Sequence, residues 1–174
     1  VAVAAVVADL NTVASQLLDC VCAALEDAER PACNCYPTIG PPLVGPCCEC
    51  EDGSGITGDL SINFETMYPA DVRTLDRVTQ VYPCRQRAVA ADFTIVLTRC
   101  YPTVTKTADG IELPTIEDQE QAAEDLHRDL NIVWQALTCC PGISMRWRDL
   151  AVDSDPEGGC SMLAARITVD VSGG

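Results

Sequence analysis

From residue 4 to 29, Val6, Leu10, Val13, Leu17, Val21 and Leu25 recur at steps of three and four, which draws one apolar stripe along a helix. Pro31 closes the expected helix. Cys20 extends the stripe from Val13 and Leu17 and reads as a small buried hydrophobe. Residues 31–58 then lose every period. Their five prolines, five glycines and five cysteines, in irregular order, predict a long loop that needs internal ties or a partner surface to order it. Period two follows, with Leu60, Ile62, Phe64, Thr66 and Tyr68 alternating with Asp59, Ser61, Asn63 and Glu65. That is a strand with one wet face, stopped by Pro69. Residues 70–91, with four arginines, two aspartates and Pro83, predict an exposed excursion or an irregular hairpin arm. Phe93, Ile95 and Leu97 alternate with Asp92, Thr94 and Thr98 in a second strand, closed by Tyr101-Pro102.

Residues 102–115 read as a polar loop leading to Thr115 and Asp118, which have the spacing of a capping box. The helix they open has Ala123, Leu126, Leu130, Val133, Trp134 and Leu137 on its apolar face and ends at Pro141-Gly142. Glu117, Asp118, Glu120, Glu124, Asp125 and Asp129 crowd its first half, suit the positive end of the helix dipole, and read as a solvated face. A terminal hairpin follows, 143–152 against 161–171, with Leu163, Ala165, Ile167, Val169 and Val171 on one side of its last strand. The order predicts an α+β fold: a mostly antiparallel sheet of four to five strands, packed by an N-terminal and a central helix, with long loops.

At 174 residues and 18.6 kDa the chain fits one domain, 1–174, able to bury a core of its own. With 48% hydrophobic residues it is too apolar for a disordered acidic chain. Its net charge of −15 disfavours a monomer that grips nucleic acid through phosphate neutralisation. The opening Val1 to Ala8 lacks the basic flank of a signal segment and reads as helix. No stretch approaches the roughly 18 or more uncharged apolar residues of a membrane span, since Asp9, Asp19, Glu26 and Asp27 interrupt the most apolar region, so the chain is expected to be soluble, with no membrane partner.

Catalytic chemistry is poorly supplied. The one histidine, His127, falls on the charged face of the second helix, and no nucleophile elbow, phosphate loop, zinc-protease or dinucleotide motif is present. The glycines at 53, 55 and 58 lack the lysine and following helix of a phosphate cradle. Paired carboxylates are numerous, but nothing in their placement favours an enzyme or a calcium site. The twelve cysteines carry the strongest chemical signal. Cys33-Asn-Cys35 and Cys47-Cys-Glu-Cys50 could supply four thiolates, Cys33, Cys35, Cys48 and Cys50, to a tetrahedral zinc. They could equally form disulfides that tie down the loop, drawing on Cys20 or Cys22 and on Cys139 or Cys140, or remain free thiols. No other cofactor is suggested.

Several segments carry a family likeness. They are Leu17-Leu-Asp-Cys-Val-Cys-Ala-Ala-Leu25, the loop ending Cys47-Cys-Glu-Cys50, the strand into Tyr68-Pro69, and Thr94-Ile-Val-Leu-Thr-Arg-Cys-Tyr-Pro102. To these are added Cys139-Cys-Pro141 and the Gly158-Gly-Cys160 hairpin with Ile167-Thr-Val-Asp-Val171. Across nearly the whole chain the order of elements resembles the tail terminator proteins of actinobacteriophages, siphophage virion proteins of the head-to-tail connector. The cysteine-rich loop departs from tail terminators of other phages.

The resemblance implies a structural virion protein of the neck, assembled in the host cytoplasm. It implies a ring, usually hexameric, that caps the tail tube, meets the major tail tube protein and a head-tail stopper or adaptor, and lets DNA pass unbound. A stopper or adaptor of the same neck, or a zinc-binding structural module, is the alternative. No catalytic residue is required. The acidic excess would make the bore repel DNA, and six chains, each at −15, must then set arginines against acidic neighbours. Arg73, Arg77, Arg85 and Arg87 are the candidates for that contact between subunits.

Overall fold

The computed structural model describes residues 8–38, 40, 58–79, 88–100, 105–107, 110–153 and 160–172. Helix α1 (Leu10–Asp27) begins where Asp9 takes an extended backbone and its Oδ1 accepts from the Asn11 amide at 3.1 Å, a side-chain cap for an orphan donor. The stripe is buried over Leu17, Leu18, Val21 and Leu25, and Val6 lies outside the described residues. Pro31 is not the terminator. The chain turns earlier, at Glu29, whose φ of 58° is left-handed, and Arg30 N donates to Leu25 O at 2.8 Å.

The expected α+β architecture is present. Five strands, β1 (Asn34–Thr38), β2 (Asp59–Ala70), β3 (Ala88–Cys100), β6 (Met145–Asp153) and β7 (Cys160–Asp170), form one sheet in the order β1-β2-β3-β7-β6. All neighbours are antiparallel except β1 and β2. Between β3 and β6 run a short ribbon, β4 (Thr105–Thr107) with β5 (Gly110–Glu112), and helix α2 (Ile116–Thr138). Both helices contribute to one apolar core on a single face of the sheet, built on Leu60, Ile62, Phe93, Ile95, Leu97 and the predicted stripe of β7. Every residue of that stripe, Leu163 to Val171, is at most 1% exposed.

Three sequence expectations need correction. Residues 31–58 are not wholly loop, because 34–38 form a parallel edge strand. Its length and Pro37 hid it from a reading by period, yet an edge strand tolerates proline where no ladder bond is required. The 102–115 loop likewise contains the β4–β5 ribbon. And β2 runs through Pro69 to Ala70, on an edge that β1 does not reach, where the Pro69 carbonyl accepts from Val78 N at 2.9 Å.

Two disulfides pin α1. Cys20 bonds to Cys140 just past α2, across 120 residues, and Cys22 bonds to Cys35 in β1, across 13. Two positions apart on a helix point to nearly opposite sides, so adjacent cysteines reach separate neighbours. Cys20 is therefore a cross-link and not simply a small hydrophobe. In the chain-entropy account, loops of these lengths correspond to about 5 and about 3 kcal/mol. Close approach also fixes Gly58, where φ is 127° and an added Cβ would lie 1.9 Å from the Thr98 carbonyl oxygen. No described helix is long and apolar enough to cross a membrane.

Candidate functional site

The face of the sheet away from the helices is polar, and two bulges shape it. In β2 the register shifts between Phe64 and Thr66, leaving Glu65 unpaired, and in β6 it shifts between Trp147 and Asp149, leaving Arg148 unpaired. Each bulge reverses the alternation. Thr66 and Tyr68 therefore lie on the face opposite Leu60 and Ile62, not with them as the uniform period implied. The shift in β6 places Arg148 and Asp149 together on the same polar face, and Leu150 returns to the core.

Asp92 is the centre of this face. It stands in a row Thr66, Asp92, Thr168, Arg146 across four strands, and it is buried, at 5% exposure, where the sequence pattern predicted a wet position. A buried carboxylate must be paired and hydrogen-bonded. Its Oδ1 accepts from Thr168 Oγ1 at 2.7 Å and from the Tyr68 hydroxyl at 3.0 Å, and its Oδ2 accepts from Arg148 at 3.0 Å. Arg148 also lies 3.7 Å from Glu65, so the two bulge residues meet above Asp92; Thr94 Oγ1 in turn donates to Glu65. Burial raises the Tyr68 hydroxyl above the usual tyrosine range, and its bond to Asp92 raises it further, which keeps the phenol protonated as a donor.

Around this centre lies an open cleft of about 480 Å³. Arg146 donates to the Thr74 carbonyl and to Asp76, each at 2.6 Å, and that guanidinium holds the Asp76 carboxyl below its ordinary range. Arg77 lies over the Tyr68 ring, 4.6 Å from its centroid, a cation–π stack. Among the described residues the cleft thus holds three arginines and three carboxylates, with no cysteine and no histidine. It is equipped for ion pairing and hydrogen bonding.

The other predicted residues fall elsewhere. Cys35 is bonded to Cys22, and Cys33 is disulfide-bonded too, with its amide donating to Gly58 O at 2.6 Å. Sulfur held in a disulfide is not a thiolate ligand, so Cys33 and Cys35 do not form the zinc site; Cys48 and Cys50 lie outside the described residues. Cys139 is a free, exposed thiol. Arg73 is exposed on the turn that Asp71 caps, Arg77 belongs to the cleft, and Arg85 and Arg87 lie outside the described residues. His127 is exposed on α2.

A second charged cluster overturns the solvated reading of α2 at Asp129, while Glu117, Asp118, Glu120 and Glu124 are exposed as expected. Asp129 is fully buried and bridges two guanidiniums, Arg30 Nε at 2.6 Å and Arg99 Nε at 3.0 Å. Arg30 also binds Asp125 at 2.9 Å, and Arg99 donates to the carbonyls of Pro31 and Arg30. The hydrogen bond to Asp129 holds Arg30 even more firmly protonated. Asp129 follows Leu126 by three and precedes Val133 by four, so it sits at the edge of the apolar stripe. That position, with Arg30 just past α1, was the available signal.

No protein-family model and no curated protein matches the chain.

Proposed function

We propose that the chain is a structural subunit of a siphophage neck, a tail terminator that forms a ring, hexameric by resemblance, at the head-proximal end of the tail tube. The observation that carries this reading is the division of the sheet. Helices and apolar core occupy one face, and the other presents an ordered row of arginines and carboxylates, covered by no other described element, beside an exposed turn at 71–79. Ion-paired, half-exposed surfaces of this kind suit contact with another folded chain. The acidic excess of −15 supports a bore that repels the DNA passing through it.

The role needs no catalytic residue and no cofactor. Its partners would be further copies of the chain, the major tail tube protein and a head-tail stopper or adaptor, and its place would be the virion, after assembly in the host cytoplasm. Mass photometry and negative-stain imaging of the purified protein should give a closed ring of defined mass, six copies of the 18.6 kDa chain by resemblance. Antibody labelling of virions should mark a single layer between head and tail. A chain that stays monomeric and is absent from virions overturns the reading.

A further inference from the structure

We infer that copies of this chain join head to tail, the 71–79 turn of one docking on the β5–α2 corner of the next; this rests on the ring reading above. The two surfaces lie at opposite ends of the sheet. The turn follows Ala70, which pairs with Ala88 at the start of β3. The corner lies past the other end of β3, which extends about 40 Å at 13 residues.

The direction of α2 establishes this. Its last residue, Thr138, accepts from Trp147, which is level with Phe93 through Ile167. Asp129, further back along α2, is paired with Arg99 near the end of β3. From Asp129 back to Ile116 the helix runs on for 13 residues, about 20 Å. The front of α2 therefore overhangs the sheet.

The two ends are complementary. On the corner, Ile111, Leu113 and Ile116 are 69%, 68% and 71% exposed, beside the exposed acids Glu117 and Glu120, which form no ion pair among the described residues. On the turn, Val72 is 72% exposed, beside Arg73 and Arg77, which likewise form no salt bridge among the described residues. Among the described residues β4–β5 pairs with no further strand, a two-stranded unit is marginal in water, and the large apolar side chains in and just past β5 gain by being covered. A second copy supplies what each end lacks: guanidiniums for the acids and an aliphatic side chain for the apolar corner. Because the surfaces differ, the contact is heterologous, the type that closes into rings when its rotation permits.

The test uses the full chain and mass photometry over a concentration series. Reversal at one end, Arg73→Glu with Arg77→Glu, should raise the concentration for half-assembly about tenfold or more, and reversal at the other, Glu117→Arg with Glu120→Arg, should match it. Mixing the two reversed proteins should restore assembly at the wild-type concentration as rings in which the two alternate, because the acidic turn of one meets the basic corner of the other and the remaining turn and corner keep their wild-type charges, while each alone stays weakened. Val72→Asp and Ile116→Asp should weaken assembly with circular dichroism unchanged, which keeps the test independent of the cleft around Arg77. Wild-type rings unmoved by all these changes, or reversed proteins that fail to pair on mixing, overturn this contact and leave the ring reading standing. A wild-type chain that is monomeric up to its solubility limit overturns both.

Discussion

Two buried aspartates, each held by arginine, occupy opposite sides of the sheet, and the protein uses them differently. Asp129 lies between α2 and the end of α1, completely enclosed, and both guanidiniums on it are nearly as deep, with side chains 15% and 9% exposed. Asp92 is almost as buried, yet its arginine, Arg148, is 44% exposed and opens on a cleft. In the first case carboxylate, guanidiniums and carbonyls satisfy one another, and only Asp125, the second partner of Arg30, reaches the surface. In the second the carboxylate anchors a charged surface. The same residue types therefore act as an internal lock on one face and as the base of an interaction surface on the other, and accessibility of the arginine decides which.

Removing the enclosed carboxylate should do the most damage. Asp129→Ala strands two buried cations, and breaking such a cluster from one side costs about 3–5 kcal/mol. Urea denaturation should show the loss as a lower midpoint. Cys20→Ser with Cys140→Ser acts on the same face and should cost about 2–5 kcal/mol, with the chain-entropy figure for its loop as the upper end, read in the same experiment. Asp92→Ala leaves Arg148 free to turn into solvent and orphans only the Tyr68 and Thr168 hydroxyls, a loss of about 1–3 kcal/mol. Equal losses at Asp129 and Asp92 would break the distinction between lock and surface.

The apolar face was readable because one period governs it. Leu163 to Val171 and Phe93 to Leu97 point where alternation says they point, and Thr115 with Asp118 forms the expected capping box. The charged face was not readable, because its geometry comes from two inserted residues. Glu65 and Arg148 look like ordinary wet positions in their strands, and a bulge carries no composition signal here. Tyr68 and Thr66 consequently changed sides. Burial of Asp92 and Asp129 was hidden for a related reason: each draws its arginine from another element, Arg148 from β6, Arg30 and Arg99 from the ends of α1 and β3. Cysteine pairing was open in sequence and follows only from which ends the fold brings together.

The smallest predicted effect concerns the rim of the cleft, where Asp76 meets Arg146 with side chains 61% and 47% exposed. Arg146 lowers the Asp76 carboxyl below its ordinary range, and the neighbouring Asp71 is lowered by the amides of Arg73 and Thr74. A depressed carboxyl stabilises the fold above its unfolded value of about 3.9 and loses that contribution as pH falls through the folded value. Wild type and Asp76→Asn should therefore differ slightly at pH 6 and converge in acid below that range, and the difference should shrink in high salt because exposed pairs are screened. Thermal melts across pH 2–6 at two salt concentrations measure it. The Asp129 lock gives the contrast: its pairs are shielded from solvent, so the penalty of Asp129→Ala at pH 6 should be nearly independent of salt. A salt-insensitive Asp76, or a salt-sensitive Asp129, would mean that the two faces are not divided by solvent access at all.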